Sequence, residues 1–148
     1  MFLIEYKLDK AGWAFGKIGN TEREVKVVVS YLHDSLQELA QSAIDIKSKN
    51  SRRVVFMDEP GEYILHLNRV DDTKLCYELR WYDDWFSWGM YPEDKFTLEL
   101  SGETTVCKYI NQVRQLLLDL RAKHTEEEYR ELWIEHPFPT KEFNQLNS

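Results

Sequence analysis

The sequence predicts a single α+β domain over residues 1–148: one antiparallel sheet of about six strands, with one helix inserted after the third strand and two C-terminal helices packed on the sheet. Three observations lead to this prediction. Residues 2–8 alternate apolar and polar side chains, as half-buried strands do, and two more strand-like segments follow by residue 29. Turn residues separate further strand-like segments in the middle of the chain. Beyond residue 105 the apolar spacing becomes that of helices.

The N-terminal region is predicted to form three strands. The first strand covers residues 2–8, in which every second residue is apolar. A turn at residues 9–12 leads into a second strand at 13–18, where Gly16 is expected to form a bulge. A valine-rich third strand follows at 25–29.

The inserted helix is expected to begin directly after the third strand. Ser30 is the predicted N-cap, because a hydroxyl oxygen can accept a hydrogen bond from a free N–H of the first turn. Apolar side chains then recur at helical spacing, which predicts one buried stripe. That stripe comprises Leu32, Leu36, Leu39, Ala40, Ala43 and Ile46.

Three or four more strands are predicted in the middle of the chain, and turns with hairpin chemistry separate the first three. One turn lies at residues 58–61, with two acids, a proline and a glycine, and the other lies at 71–74, which begins with two aspartates. The strands are predicted at 53–57, 63–70, 75–81 and 95–100.

The C-terminal third reads as helices. The apolar residues Val106, Ile110, Val113, Leu117 and Leu120 are spaced four, three, four and three residues apart, which predicts one amphipathic helix. Thr125 with Glu128 forms a capping-box pattern that opens a second helix. The prolines within residues 136–139 end that helix. Thr140 is expected to cap a last helical turn.

Composition narrows the class of protein. The chain is 43% hydrophobic and 30% charged, which fits one ordinary domain with its own core. Its formal net charge of -7 argues against a nucleic-acid partner, because phosphates require a basic face. An acidic domain favours basic partners, whose potential is complementary.

Location and redox state follow from the same inspection. The N-terminus lacks a signal peptide and no window reaches the roughly 20 apolar residues of a membrane span, so we expect a cytoplasmic protein without membrane contact. Cys76 and Cys107 are too few for a disulfide framework. Both are expected to be reduced and buried.

No motif assigns a catalytic residue, metal ligand or cofactor. His33, His66, His124 and His136 lack the short spacings of zinc ligands. Glycine-rich phosphate loops and nucleophile elbows are absent from the sequence. An enzyme therefore remains only an alternative, with an acid–base site around Asp58, Glu59, Glu62 or His66.

The segment at residues 81–91 is the leading candidate for function. It holds three of the five tryptophans and six aromatic rings. Aromatic and acidic side chains together are typical of protein-binding surfaces, so we expect a partner-binding site there and at the nearby acidic turn. The predicted site residues are Asp83, Asp84, Trp85, Trp88, Asp58, Glu59 and Glu62. Two alternatives stay open: the tryptophans fold back over the sheet, or they line a small-ligand pocket.

Four sequence features carry a resemblance to a protein group. They are Gly12-Trp13, Ser30-Tyr31-Leu32, the segment at 56–63 and the segment at 133–139. With them the chain resembles small uncharacterised bacterial proteins, which are similar to immunity proteins of polymorphic-toxin systems. The resemblance implies a cytosolic protein that binds and neutralises a cognate toxin domain, without chemistry of its own. It transfers no binding residue and no oligomeric state.

Overall fold

The computed structural model describes residues 2–147, and within them seven strands form two antiparallel sheets. The first sheet has the order β1 (Leu3–Leu8), β2 (Trp13–Gly19) and β3 (Glu24–Ser30). The second has the order β4 (Ser51–Met57), β5 (Glu62–Arg69), β6 (Lys74–Tyr82) and β7 (Thr97–Thr105). The α+β class is confirmed, but the single sheet of about six strands is wrong.

The inserted helix is the reason for two sheets. Helix α1 (Ser35–Asp45) places its first turn along the outer edge of β4. The Ser35 hydroxyl donates a hydrogen bond to the Val55 carbonyl oxygen at 2.7 Å, and the Val55 N–H donates to the Glu38 carboxylate. A neighbouring strand would need these same backbone groups. β3 therefore does not pair with β4.

Three further helices complete the fold. They are α2 (Val106–Lys123), α3 (Glu126–Leu132) and α4 (Thr140–Leu146). The predicted capping box of α3 is confirmed: the Glu128 N–H donates to the Thr125 hydroxyl at 3.1 Å, and the Thr125 N–H donates to the Glu128 carboxylate at 3.2 Å.

The predicted caps of two helices are wrong. Ser30 is the last residue of β3, and its hydroxyl accepts a hydrogen bond from the Leu32 N–H in the following turn. Asp34 caps α1 instead, because its carboxylate accepts from the Gln37 N–H at 3.3 Å. Leu32 thus precedes the helix and is exposed rather than part of the buried stripe. In α4, Pro139 occupies the N-cap position that was expected for Thr140.

Two strand details also differ from the prediction. Gly16 forms no bulge, since it pairs in unbroken register with Tyr6 and Val27. The irregular register lies between β6 and β7, at Leu79 and Arg80. The last strand extends to Thr105 rather than ending at residue 100, and its polar second half hid the apolar alternation.

One main core joins both sheets to the helices. The predicted stripe of α2, which Leu116 was expected to widen, is confirmed as buried, and it also contains Tyr109. Cys107 lies off this stripe and is exposed, and Cys76 is half-buried, so the expectation of two buried thiols is wrong. Both cysteines are free.

Adjacent leucines on α2 offer a matched test of this core. Leu117 is fully buried, whereas Leu118 is 40% exposed. Leu117→Ala should lower the free energy of unfolding by about 2–5 kcal/mol, because it removes buried surface and leaves a cavity. Leu118→Ala should lower it by less than about 1 kcal/mol. Denaturant unfolding of both variants measures the difference, and equal losses would contradict the orientation of α2.

Candidate functional site

The segment at residues 83–96, which we call the aromatic cap, folds back over the outer face of the four-stranded sheet. That face carries a small second core of Val55, Met57, Ile64 and Tyr82. The cap covers this core with Trp85, Phe86, Tyr91 and Phe96. The cap is therefore a structural layer on its inner side.

Trp85 attaches the cap to the β4–β5 turn. Its indole N–H donates hydrogen bonds to the backbone oxygens of Asp58 at 2.8 Å and Gly61 at 3.1 Å. The turn also lies very close to β6. A side chain at position 61 would collide with the Tyr82 carbonyl oxygen and the Trp81 ring, so position 61 requires glycine. The β4–β5 turn, which the sequence singled out for its acidic residues, therefore binds the Trp85 indole through its backbone oxygens.

Glu62 is a second attachment point. Its side chain is 0% exposed, although the sequence placed it on the partner surface. One carboxylate oxygen accepts a hydrogen bond from the Ser87 hydroxyl at 2.6 Å, and the other accepts from the Ser87 N–H at 2.9 Å. Glu62 therefore fixes the short 3-10 helix Phe86–Trp88 from below and has no surface to offer a partner.

The outer side of the cap presents large apolar side chains. Trp88 is 51% exposed and Met90 is 57% exposed. The Trp88 ring packs edge-on against Trp85, with a centroid distance of 4.8 Å and an interplanar angle of 64°. Because the two rings touch, they leave no space for a ligand between them.

Acidic side chains belong to the same segment as these apolar ones. Asp83 is exposed and accepts a hydrogen bond from the Trp81 indole N–H at 2.8 Å, while half-buried Asp84 accepts from the Trp85 N–H at 2.7 Å. Glu93 and Asp94 are exposed on the same segment. Sequence reasoning missed Met90, Glu93 and Asp94, although the two acids directly follow Pro92 in an apolar-poor stretch.

Two arginines border the cap on the sheet side. The Arg53 guanidinium lies 5.3 Å from the centroid of the Phe86 ring, and the Arg80 guanidinium lies 4.2 Å from that of Phe96. Arg80 also donates to the Glu78 carboxylate at 2.7 and 2.9 Å. These cations hold the cap against the sheet by stacking on its rings.

The structure separates the residues of the acid–base alternative. Asp58 lies in the turn, where partial burial raises its pKa and a hydrogen bond from the Glu59 N–H opposes that rise. Glu59 is exposed. His66 lies on the same strand face as buried Glu62 but four residues further along β5, which is about 13 Å.

His66 occupies a site of low proton affinity. It pairs in register with Arg53 on β4 and Glu78 on β6. Burial lowers its pKa to about 4, helped by the positive charges of Arg80 and Arg53 and opposed by Glu78. Within residues 2–147, no three or more His, Cys, Asp or Glu side chains come together as a group able to hold a metal ion.

Among the described residues, no helix combines the length and the apolar character needed to cross a membrane. No protein-family model matches this sequence, and no curated protein matches it significantly. Among solved structures, the fold is similar to a chain of the CdiA-CT/CdiI toxin and immunity complex from Enterobacter cloacae. The TM-score is 0.46 and the identity 12%, over 78% of this chain and 98% of that chain. Similarity at this level carries no argument about the site.

The lowered pKa of His66 predicts a pH dependence of stability. The unfolded chain binds this proton near pH 6.5, whereas the folded protein binds it only near the pKa of about 4. The unfolded state therefore binds more protons between these values, and acidification through this window destabilises the fold. His66→Gln should show a shallower loss of stability, measured as the denaturant midpoint at a series of pH values. Parallel pH profiles for the two proteins would contradict the assignment.

The Ser87–Glu62 contact predicts a stability loss within the cap. Ser87→Ala removes the hydroxyl donor from a fully buried carboxylate, so unfolding should become easier by about 1–3 kcal/mol. The control is Ser101→Ala, which truncates an exposed serine on β7 and should change stability by less than about 0.5 kcal/mol. Denaturant melts measure both, and a neutral Ser87→Ala would show that the cap does not depend on this bond.

Proposed function

We propose that this chain is a non-catalytic protein-binding module whose aromatic cap binds a basic protein domain, in the manner of an immunity-type inhibitor. The observation that carries the proposal is the exposed Trp88, which stands on a fixed base beside exposed acids. Tryptophan dominates binding energy at protein interfaces because it buries a large area with few rotatable bonds.

Rigidity of the cap supports this role. Trp85 is attached by two hydrogen bonds to the β4–β5 turn, and Ser87 by two hydrogen bonds to Glu62. Trp88 therefore projects from a frame that is already ordered before any partner arrives. A preordered anchor loses little conformational entropy on binding, so more of its contact energy appears as affinity.

The charge around Trp88 supports a basic partner. Asp83, Glu93 and Asp94 are exposed on the cap, with Lys95 as the one exposed cation between residues 83 and 96. Negative charge around an apolar centre attracts a basic surface and raises the rate of encounter. A toxin domain with a basic active cleft fits this chemistry, and a toxin domain is the kind of partner that the sequence resemblance implies.

The site residues divide into two roles under this proposal. Asp83, Trp88 and Glu59 have the exposure to contact the partner. Trp85, Asp84 and Asp58 support them from half-buried positions. Glu62 acts from inside as a positioning residue.

Truncation of Trp88 tests the proposal directly. Trp88→Ala should weaken partner binding by about 2 kcal/mol or more, because it removes the central anchor. Its stability should stay within about 1 kcal/mol of the wild type, since the ring is half in solvent. The partner is first captured from a lysate of the source cells on immobilised wild-type protein and identified by mass spectrometry. Its affinity for each variant is then measured.

Two control variants make this test specific. Leu118→Ala removes another exposed apolar side chain, far along the sequence on α2, and should retain the partner. Trp133→Ala removes a fully buried indole and should lose about 3–5 kcal/mol of stability. The proposal fails if Trp88→Ala binds as well as Leu118→Ala, or if Trp88→Ala unfolds as readily as Trp133→Ala.

A further inference from the structure

The outer face of the three-stranded sheet is a second apolar surface with a different charge. One face of this sheet packs into the main core, where Ala14 and Ile18 are buried. The alternate residues point away from that core, and among them Phe15 is 47% exposed. A depression of about 430 Å³ lies on this face, and its lining includes the apolar Phe15 and Val28 and one acid, Glu5.

Lysines flank this depression. Lys7 and Val28 pair with Phe15 in register, and Lys26 lies in the next row opposite Lys17. Lys17 is shared between Glu5 at 3.9 Å and Glu24 at 3.7 Å, so its charge is compensated. Lys7 and Lys26 are exposed, and neither forms an ion pair with another residue in the described part of the chain.

The two surfaces are complementary in chemistry. The cap offers Trp88 and Met90 beside carboxylates, and the sheet face offers Phe15 between uncompensated ammonium groups. Apolar contact combined with opposite charge favours association. The two surfaces are separate, because the cap packs on the second core whereas the Phe15 face points away from the main core.

We propose that the sheet face around Phe15 binds the aromatic cap of a second copy of this chain. The contact is heterologous, since different surfaces meet, so each molecule keeps one free surface of each kind and chains of copies can grow. Lys7 and Lys26 face the cap carboxylates, while Phe15 contacts Trp88. Such self-association covers the cap, so it regulates access of any partner to the same surface.

The inference goes beyond the proposed function and does not require it. A net charge of -7 on every copy opposes self-association, so the contact is weak and dependent on concentration. Exposed charge pairs are screened by salt, and the association therefore weakens as ionic strength rises. Dependence on the concentration of this chain alone separates the contact from binding to a foreign basic domain, which needs no second copy.

Sedimentation velocity on the full chain tests the contact with two complementary variants. The first variant, Lys7→Glu with Lys26→Glu, reverses the sheet-face charge and keeps the cap. The second, Trp88→Ala with Met90→Ala, removes the apolar centre of the cap and keeps the sheet face. Circular dichroism and denaturant midpoints establish that both variants are folded before they are compared.

The expected result has three parts. The wild type sediments faster as its concentration rises from about 10 μM to about 1 mM at low salt, and this shift is lost at roughly 0.5 M salt. Each variant alone stays monomeric over the same range. An equimolar mixture forms a dimer and nothing larger, because the intact cap of one variant fits the intact sheet face of the other.

Several results would overturn the inference. A wild type that stays monomeric throughout excludes the contact, and so does a mixture of variants that shows no dimer. Self-association of either variant alone would mean that like surfaces pair or that other residues are responsible. Failure of this inference can be distinguished from failure of the proposed function. The Lys7→Glu, Lys26→Glu variant retains the whole cap, so it should still bind the partner even though it no longer self-associates.

Discussion

The hydrogen bonds of Val55 to helix α1 determine the architecture of this protein. Its backbone N–H and carbonyl group bond to Glu38 and Ser35, so the edge of β4 is closed by side chains rather than by another strand. This edge contact divides the strands into two sheets around one core. The side chain of the same residue stands out from a face of the sheet and belongs to the small second core beneath the cap. Closure of the sheet edge and coverage of its outer face thus meet at one residue.

Coverage of that outer face explains why the cap exists. β4 and β5 carry apolar residues on both faces, since Val54 joins the main core while Val55 and Ile64 join the second. An uncovered second core would be a contiguous apolar patch, which soluble monomers avoid. The cap hides this patch with the inner halves of its rings and necessarily has an outer side. Trp85 and Trp88 are three residues apart and lie on different sides of the cap: Trp85 packs on the second core, and Trp88 is exposed.

The sequence predicted those features that depend on local periodicity. The stripe of α2 and the capping box at Thr125 are local patterns, and both are present as expected. Strand partners are not local: alternation states which side chains are buried but not which backbone edges meet, so the division into two sheets was missed. The N-cap residue of α1 was predicted wrongly because Ser30 and Asp34 are both of types that cap helices well. Only the length of β3 decides between them.

The sequence predicted which residue types make up the candidate site, but not which of them are buried. The sequence singled out a segment and a turn for their unusual aromatic and acidic content, and the structure brings the two into contact through Trp85. It could not show that the turn carbonyls accept the Trp85 indole, because that contact joins positions 27 and 24 residues apart in the chain. Nor could it distinguish buried Glu62 from exposed Glu59, whose difference arises only when the cap closes over the second core.

The contact between Trp85 and Trp88 also gives the molecule a built-in optical reporter. Two indoles with ring centroids 4.8 Å apart and planes inclined at 64° couple their electronic transitions. Coupled, non-parallel chromophores produce a pair of circular dichroism bands of opposite sign, which vanishes when either ring moves away. One ring belongs to the frame of the cap and the other to its outer surface, so this signal follows the cap itself rather than the fold as a whole. Opening of the cap can therefore be distinguished spectroscopically from unfolding, without a label and without a partner.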